Sequence, residues 1–184
     1  MSAFSRILSS GDLRSDGFAD EVARIVSEHP DLLPDLVGAL AASDPAVRGH
    51  AADALEKVSR SYPNEVAAFL PSILRAAQND PVAMVRWHMA MTLGHLSSLA
   101  PVRPEAEQVL LALLKDESTF VKTWAITSLC ILAKTDPDRC EAIIQKIAPL
   151  AGDPSVAVAK RAQMALRALA DPASPLPKGW VKNQ

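Results

Sequence analysis

VRWHMAMTLGHL, residues 85–96, returns three more times along this chain with the same apolar skeleton. The echoes are VRGHAADALEKV from Val47, VKTWAITSLCIL from Val121 and VAKRAQMALRAL from Val158. Each opens on Val, then carries Ala or Met four places on, Leu eight places on, and Leu or Val eleven places on. On a helix that turns about 100° per residue, those positions fall at about 0°, 40°, 80° and 20°, one narrow face. That face is the expected buried one. The valines stand 38, 36 and 37 residues apart. A fixed period of this size signals stacked units, each burying its apolar face against its neighbours.

A second apolar set lies 15 and 11 residues before each Val: Leu32 and Leu36, Leu70 and Leu74, Ala106 and Leu110, Ile143 and Ile147. These i, i+4 pairs predict a separate helix, so each unit reads as helix A followed by helix B. Asp44-Pro45, Asp80-Pro81 and Asp153-Pro154 offer an N-cap acceptor and a proline at the first helical position of B. In the third unit Asp116 or Ser118 takes that role. The seventh position of B is always small (Ala54, Thr92, Ser128, Ala165), which lets neighbouring B helices approach closely. Before the first unit, Phe18, Val22 and Ile25 predict a helix ending near His29-Pro30, a degenerate cap for the array. After the last, the Pro-rich stretch from Asp171 is expected to be extended.

These residues resemble the HEAT-repeat family, whose pattern has a Pro in helix A, an Asp in the turn and Val-Arg opening helix B. Pro34 and Pro71 match the first feature, Asp80, Asp116 and Asp153 the second, and Val47-Arg48, Val85-Arg86 and Val121-Lys122 the third. Ala42, where the first turn Asp would stand, and Ala159, after Val158, depart from it. The resemblance implies an all-α, right-handed, armadillo-like α-solenoid of antiparallel helix pairs, with B helices on the concave side. The expected domain runs over residues 1–170. It divides into a capping unit at 1–30 and repeats at about 31–61, 62–99, 100–134 and 135–170, before a tail at 171–184.

Composition narrows the function. A chain of 184 residues with 22% charged residues and a net charge of −2 has no overall field drawing it to nucleic acid or anionic membrane. Charge is uneven: residues 1–35 are acidic and residues 154–184 basic, which suggests solvated end caps or weak head-to-tail association. Two cysteines, Cys130 and Cys140, fit neither a disulfide framework nor a zinc spacing. The start shows no apolar signal segment and no stretch reaches membrane-span length, so a reduced cytoplasmic setting is expected.

The candidate site follows from helical phase. Positions 2, 6 and 9 of B fall at about 200°, 240° and 180°, opposite the buried face. In the second repeat they hold Trp87, Met91 and Gly94, where polar residues are the norm. With position 3 and its neighbours this gives a candidate groove of Trp87, His88, Met91, His95, Trp124 and Thr127, with Lys160 and Arg161 at one end. The plain alternative is that Trp124 and His88 wedge between B helices, and that Trp87 meets a neighbouring chain or a curled tail. His88 and His95 are seven residues apart, about 10.5 Å along a helix, too far to share one metal ion. No metal, no cofactor and no catalytic residue are expected, since nucleophile-elbow, phosphate-loop and zinc motifs are all missing. Cys130 reads as a filler rather than a nucleophile.

The function expected is a non-catalytic scaffold that grasps a protein helix or extended peptide on its concave face. The alternative is a HEAT-like enzyme of the DNA glycosylase or bilin lyase kind. Trp87 and Trp124 invite the glycosylase comparison, but no Asp stands beside them in the sequence pattern.

Overall fold

The computed structural model describes residues 4–9, 12, 13, 17–171 and 173–181. Eleven α-helices run through them: α1 Ser5–Leu8, α2 Ala19–Glu28, α3 Leu33–Ala39, α4 Pro45–Ser61, α5 Pro63–Ala67, α6 Leu70–Asn79, α7 Ala83–Leu96, α8 Arg103–Leu113, α9 Thr119–Thr135, α10 Cys140–Ile147 and α11 Val156–Ala170. Among the described residues there is no strand. The A helices are α3, α6, α8 and α10, and the B helices are α4, α7, α9 and α11. Short 3-10 turns introduce three A segments (Pro30–Leu32, Ala100–Val102, Pro137–Arg139), and the single-turn α5 introduces the other.

The repeated face of B is buried as its spacing demands. Val85, Met89, Leu93 and Leu96 are sealed from solvent, as are Val121, Ala125, Leu129 and Leu132. Removing a Leu-sized side chain from water contributes about 1.5–3 kcal/mol, so four such faces form most of the core. Leu166, on the last B helix, is half-buried. The A helices depart from their expected register at two points: Leu32 falls in the turn before α3 and is half-buried, and α6 shifts its buried face. In α6 the core residues are Ile73, Ala76 and Ala77, while Leu70 and Leu74 are half-buried. Likewise α2 buries Ala19, Val22, Ala23 and Val26, and leaves Phe18 53% exposed.

Successive B helices pack closely along the whole array, whereas the A helices are splayed. Between α3 and α6 an open groove of 570 Å³ remains, lined by Pro34, Val37, Phe69 and Arg75 among others. The B layer is therefore the inside of the curve. Small residues set its spacing: Ala54, Thr92, Ser128 and Ala165 are all buried. Ser128 Oγ donates to the Ala90 carbonyl of the preceding B helix at 2.7 Å. Opposite it stands Gly94, where an added Cβ would lie 2.6 Å from Ser128 Oγ and 2.9 Å from Ser128 Cβ.

A ladder of ion pairs joins the repeats. Arg48 Nε lies 2.7 Å from Asp80, Arg86 Nε lies 2.7 Å from Asp116, and Lys122 Nζ lies 3.1 Å from Asp153. In each case the basic residue after the repeat Val reaches the turn Asp of the next unit. The same aspartates organise the turn, since Asp80, Asp116 and Asp153 accept from the amides of Val82, Ser118 and Ser155, each at 2.8 Å. They stand two residues ahead of the N-cap rather than at it, so Pro81 and Pro154 precede their helices. Only α4 has the expected arrangement, with Asp44 capping and Pro45 opening the helix.

Candidate functional site

Described segments near each end of the chain lie on the inner face. At the first B helix, His50 is sealed from solvent, with Nδ1 2.8 Å from the Leu8 carbonyl and Nε2 3.2 Å from that of Asp12. Leu13 rests on Gly49, where a Cβ would meet its side chain at 2.7 Å. Leu8, Asp12 and Leu13 thus lie against α4. At the other end the chain leaves α11, and Lys134 Nζ donates to the carbonyls of Asp171 and Ser174 at 2.7 and 2.9 Å. A turn follows over residues 177–180, closed by the Trp180 amide donating to the Pro177 carbonyl at 3.1 Å. Gly179 sits at its third position with φ 83°, the left-handed value that a type II turn needs there. The turn points Trp180 back onto the B layer, where its side chain is 5% exposed.

Trp180 closes on α9 and α11. The Arg161 guanidinium lies 5.2 Å from the Trp124 ring and 5.1 Å from the Trp180 ring, a cation held between two aromatic faces. Arg161 also donates to Thr127 Oγ1. Burial pulls the Arg161 pKa below the ordinary guanidinium value. Met91, His95, Trp124, Thr127, Ser128, Ile131 and Trp180 line the crevice, which leaves no room for a water molecule. Beside it, Val181 borders a cavity of 190 Å³ lined also by Arg60, Pro63, His95, Ile131 and Thr135.

Five of the eight candidate residues, Met91, His95, Trp124, Thr127 and Arg161, therefore meet here, but not as an open surface. In the second and third repeats Met91 is 4% exposed, Thr127 1% and Cys130 0%, which corrects the expectation that positions 6 and 9 of B face solvent there, and His88 at position 3 is 8% exposed. The close spacing of B helices and the returning tail bury them. Trp87 stands apart from the crevice, half-buried, with its ring 5.2 Å from that of Phe120 and 5.5 Å from His88. Phe120 is 61% exposed, so this aromatic pair extends the inner face toward solvent. Lys160 is exposed on α11. The expectation of an extended tail is corrected by the turn at 177–180.

Sequence reading missed Trp180, Phe120 and Ile131. Phe120 had a signal, since the position before each repeat Val falls at about 260°, beside the phase of Met91. For Trp180 the signal was local: Pro177-Lys178-Gly179 is a turn sequence that delivers the next residue sideways.

A second polar cluster lies between α4 and α7. Ligand atoms of Asp53, Glu56 and His88, all buried, fall within 4.8 Å of one another. Spacing along one helix could not show this contact between two helices. Lys57 Nζ lies 3.0 Å from Asp53 and 2.5 Å from Asp20, and Arg60 pairs with Glu56. Ser59 Oγ meets His95 Nδ1 at 2.8 Å, which ties this cluster to the groove. Cys130 is fully buried, and burial pushes its thiol up to about 12, so it holds no thiolate at neutral pH.

Stacked helix pairs with a close-packed inner layer and a splayed outer one define an α-solenoid. The profile of the HEAT repeats family matches residues 70–167, more than half of the chain, and the chain belongs to that family. No curated protein matches it. Solved structures share the fold. One engineered protein is 21% identical with a TM-score of 0.68, covering 90% of this chain and 79% of its own. A designed armadillo repeat protein is 18% identical with a TM-score of 0.61, covering 91% and 81%. A computationally designed armadillo repeat protein for modular peptide recognition is 17% identical with a TM-score of 0.64, covering 91% and 73%. Among the described residues no helix is long and apolar enough to cross a membrane.

Proposed function

We propose that this chain is a non-catalytic interaction scaffold that holds a peptide segment of a partner along the inner face of its B helices. The observation that carries the reading is the chain's own C-terminal segment, seated there with Trp180 against Arg161 and Trp124. A groove that takes one short segment offers what a peptide site needs: an aromatic pocket, a cation with a fixed heading, and neighbouring apolar surface. Trp87, His88, Met91, His95, Trp124, Thr127, Lys160 and Arg161 form or border that face. A solved relative of the same fold is described as built for modular peptide recognition, which supports the reading.

Among the described residues, two candidate groups for the glycosylase or lyase alternative are otherwise engaged. Asp53 is held by Lys57, and the buried Cys130 thiol lacks the thiolate character a nucleophile requires.

Selection of displayed random peptides on the full-length chain and on Trp180→Ala tests the proposal. Peptides enriched on either protein should lose binding to Trp124→Ala chains that keep their helical circular dichroism. Enrichment indifferent to Trp124, or none on either protein, would overturn it.

A further inference from the structure

We infer that the groove is specific for a tryptophan presented on a Pro-x-Gly turn by a partner protein, and that residues 173–181 occupy it as an internal competitor. The inference rests on the peptide-scaffold reading and adds the ligand's chemistry and its regulation.

Three features of the seated segment set the recognition. The ring of Trp180 needs a partner cation at its face, and Arg161 is already held there by Trp124 and Thr127, so little ordering remains when a ligand arrives. The left-handed Gly179, φ 83°, turns the backbone so that the ring enters sideways, and a side chain at that position would be strained. Lys134 accepts the approach by donating to two tail carbonyls, Asp171 and Ser174, a contact that reads backbone and not side-chain identity. Each of these contacts is available to a segment from another chain once the tail lifts.

The tail is suited to lifting. It holds one large buried residue, Trp180, while Pro175, Lys178, Gly179 and Val181 are exposed. A 190 Å³ cavity lies beside Val181, space that a bulkier ligand would fill. A partner segment that enters this cavity gains contacts beyond those of residues 173–181. That gain offsets the tail's advantage of being tethered, which acts as a high local concentration of competitor.

A fluorescein-labelled peptide with the sequence of residues 173–181, ASPLPKGWV, is the probe, and its anisotropy is followed against full-length proteins. Trp180→Ala, and separately Gly179→Val, should release the tail and bind the probe at least about tenfold more tightly than wild type. A probe carrying Ala for Trp should not bind. The Gly179→Val chain keeps the experiment decisive if Trp180→Ala fails to fold. Equal binding by wild type and both variants, or equal binding of both probes, would overturn the inference. Sedimentation of wild type across concentration covers the remaining occupant. Dimers that vanish in Trp180→Ala would assign the groove to the tail of a second copy, and the inference would fall. If displayed peptides unrelated to the probe still bind through Trp124, the scaffold reading stands while this ligand assignment fails.

Discussion

Arg86 of one repeat and Asp116 of the next form a two-point contact, with guanidinium nitrogens Nε and Nη2 at 2.7 and 2.9 Å from the two carboxylate oxygens. Both side chains are 9% exposed. Arg86 Nη1 also donates to the Asp80 carbonyl at 2.8 Å, so one side chain fixes two turns. This is a bidentate pairing that a point charge cannot reproduce. Arg86→Ala strands a buried carboxylate and should cost on the order of 3–5 kcal/mol. Arg86→Lys should recover only part of that. Urea denaturation midpoints measure both, and an unchanged midpoint for Arg86→Ala would mean the ladder does not bind the repeats together.

The same ladder predicts acid sensitivity. Burial acts to raise the Asp116 carboxyl, but hydrogen bonds from Arg86 and the Ser118 amide, with the fields of Arg86 and Lys122, hold it below the ordinary value. For Asp153 the Ser155 amide and then Lys122 act in the same direction. A lowered carboxyl contributes its full stability above the ordinary range near about 3.9 and loses it as pH falls through the folded value. Asp116→Asn should therefore be less stable than wild type at neutral pH, with the gap closing as the medium is acidified. Melting temperatures across that range decide it, and a gap independent of pH would exclude Asp116 as a source.

The ladder also shows what a sequence can and cannot reveal. Val-Arg and the turn Asp were both visible, and each looked like a feature of its own repeat. Their pairing is between repeats, so it emerges only when units are stacked. Helical phase located the core because every repeat obeys one period. It failed at Met91 and Thr127 because their covering, residues 173–181, has no period, and phase reports direction rather than what lies in that direction. The contact of Asp53 and Glu56 with His88 escaped for the same reason as the ladder.

Close approach of α7 and α9 gives a prediction with an internal control. Gly94→Ala adds a Cβ 2.9 Å from Ser128 Cβ and 3.2 Å from its backbone Cα, so the helices must part. The substitution should destabilise by about 1–3 kcal/mol, against the usual helix preference for Ala. Gly38 lies in α3 with nothing within 4 Å of an added Cβ. Gly38→Ala should stabilise by about 0.5–1 kcal/mol. Thermal melts of the pair test the spacing, and the same sign for both would refute it.

Met91 and Trp87 are one helical turn apart, yet they should respond differently. Met91 is 4% exposed and lines the crevice that Trp180 closes, so Met91→Ala should cost about 2–5 kcal/mol. Trp87 is half-buried and loses mainly its contacts with Phe120 and His88, so Trp87→Ala should cost about 1 kcal/mol. Part of the Met91 cost belongs to the tail, because only a seated Trp180 completes its surroundings. In a Trp180→Ala background the cost of Met91→Ala should therefore shrink, while that of Trp87→Ala should stay as it was. Residues in contact couple and residues apart add, so the double-mutant cycle reads the seating of the tail in solution. Additive costs for Met91 and Trp180 would mean that the tail does not rest in the groove.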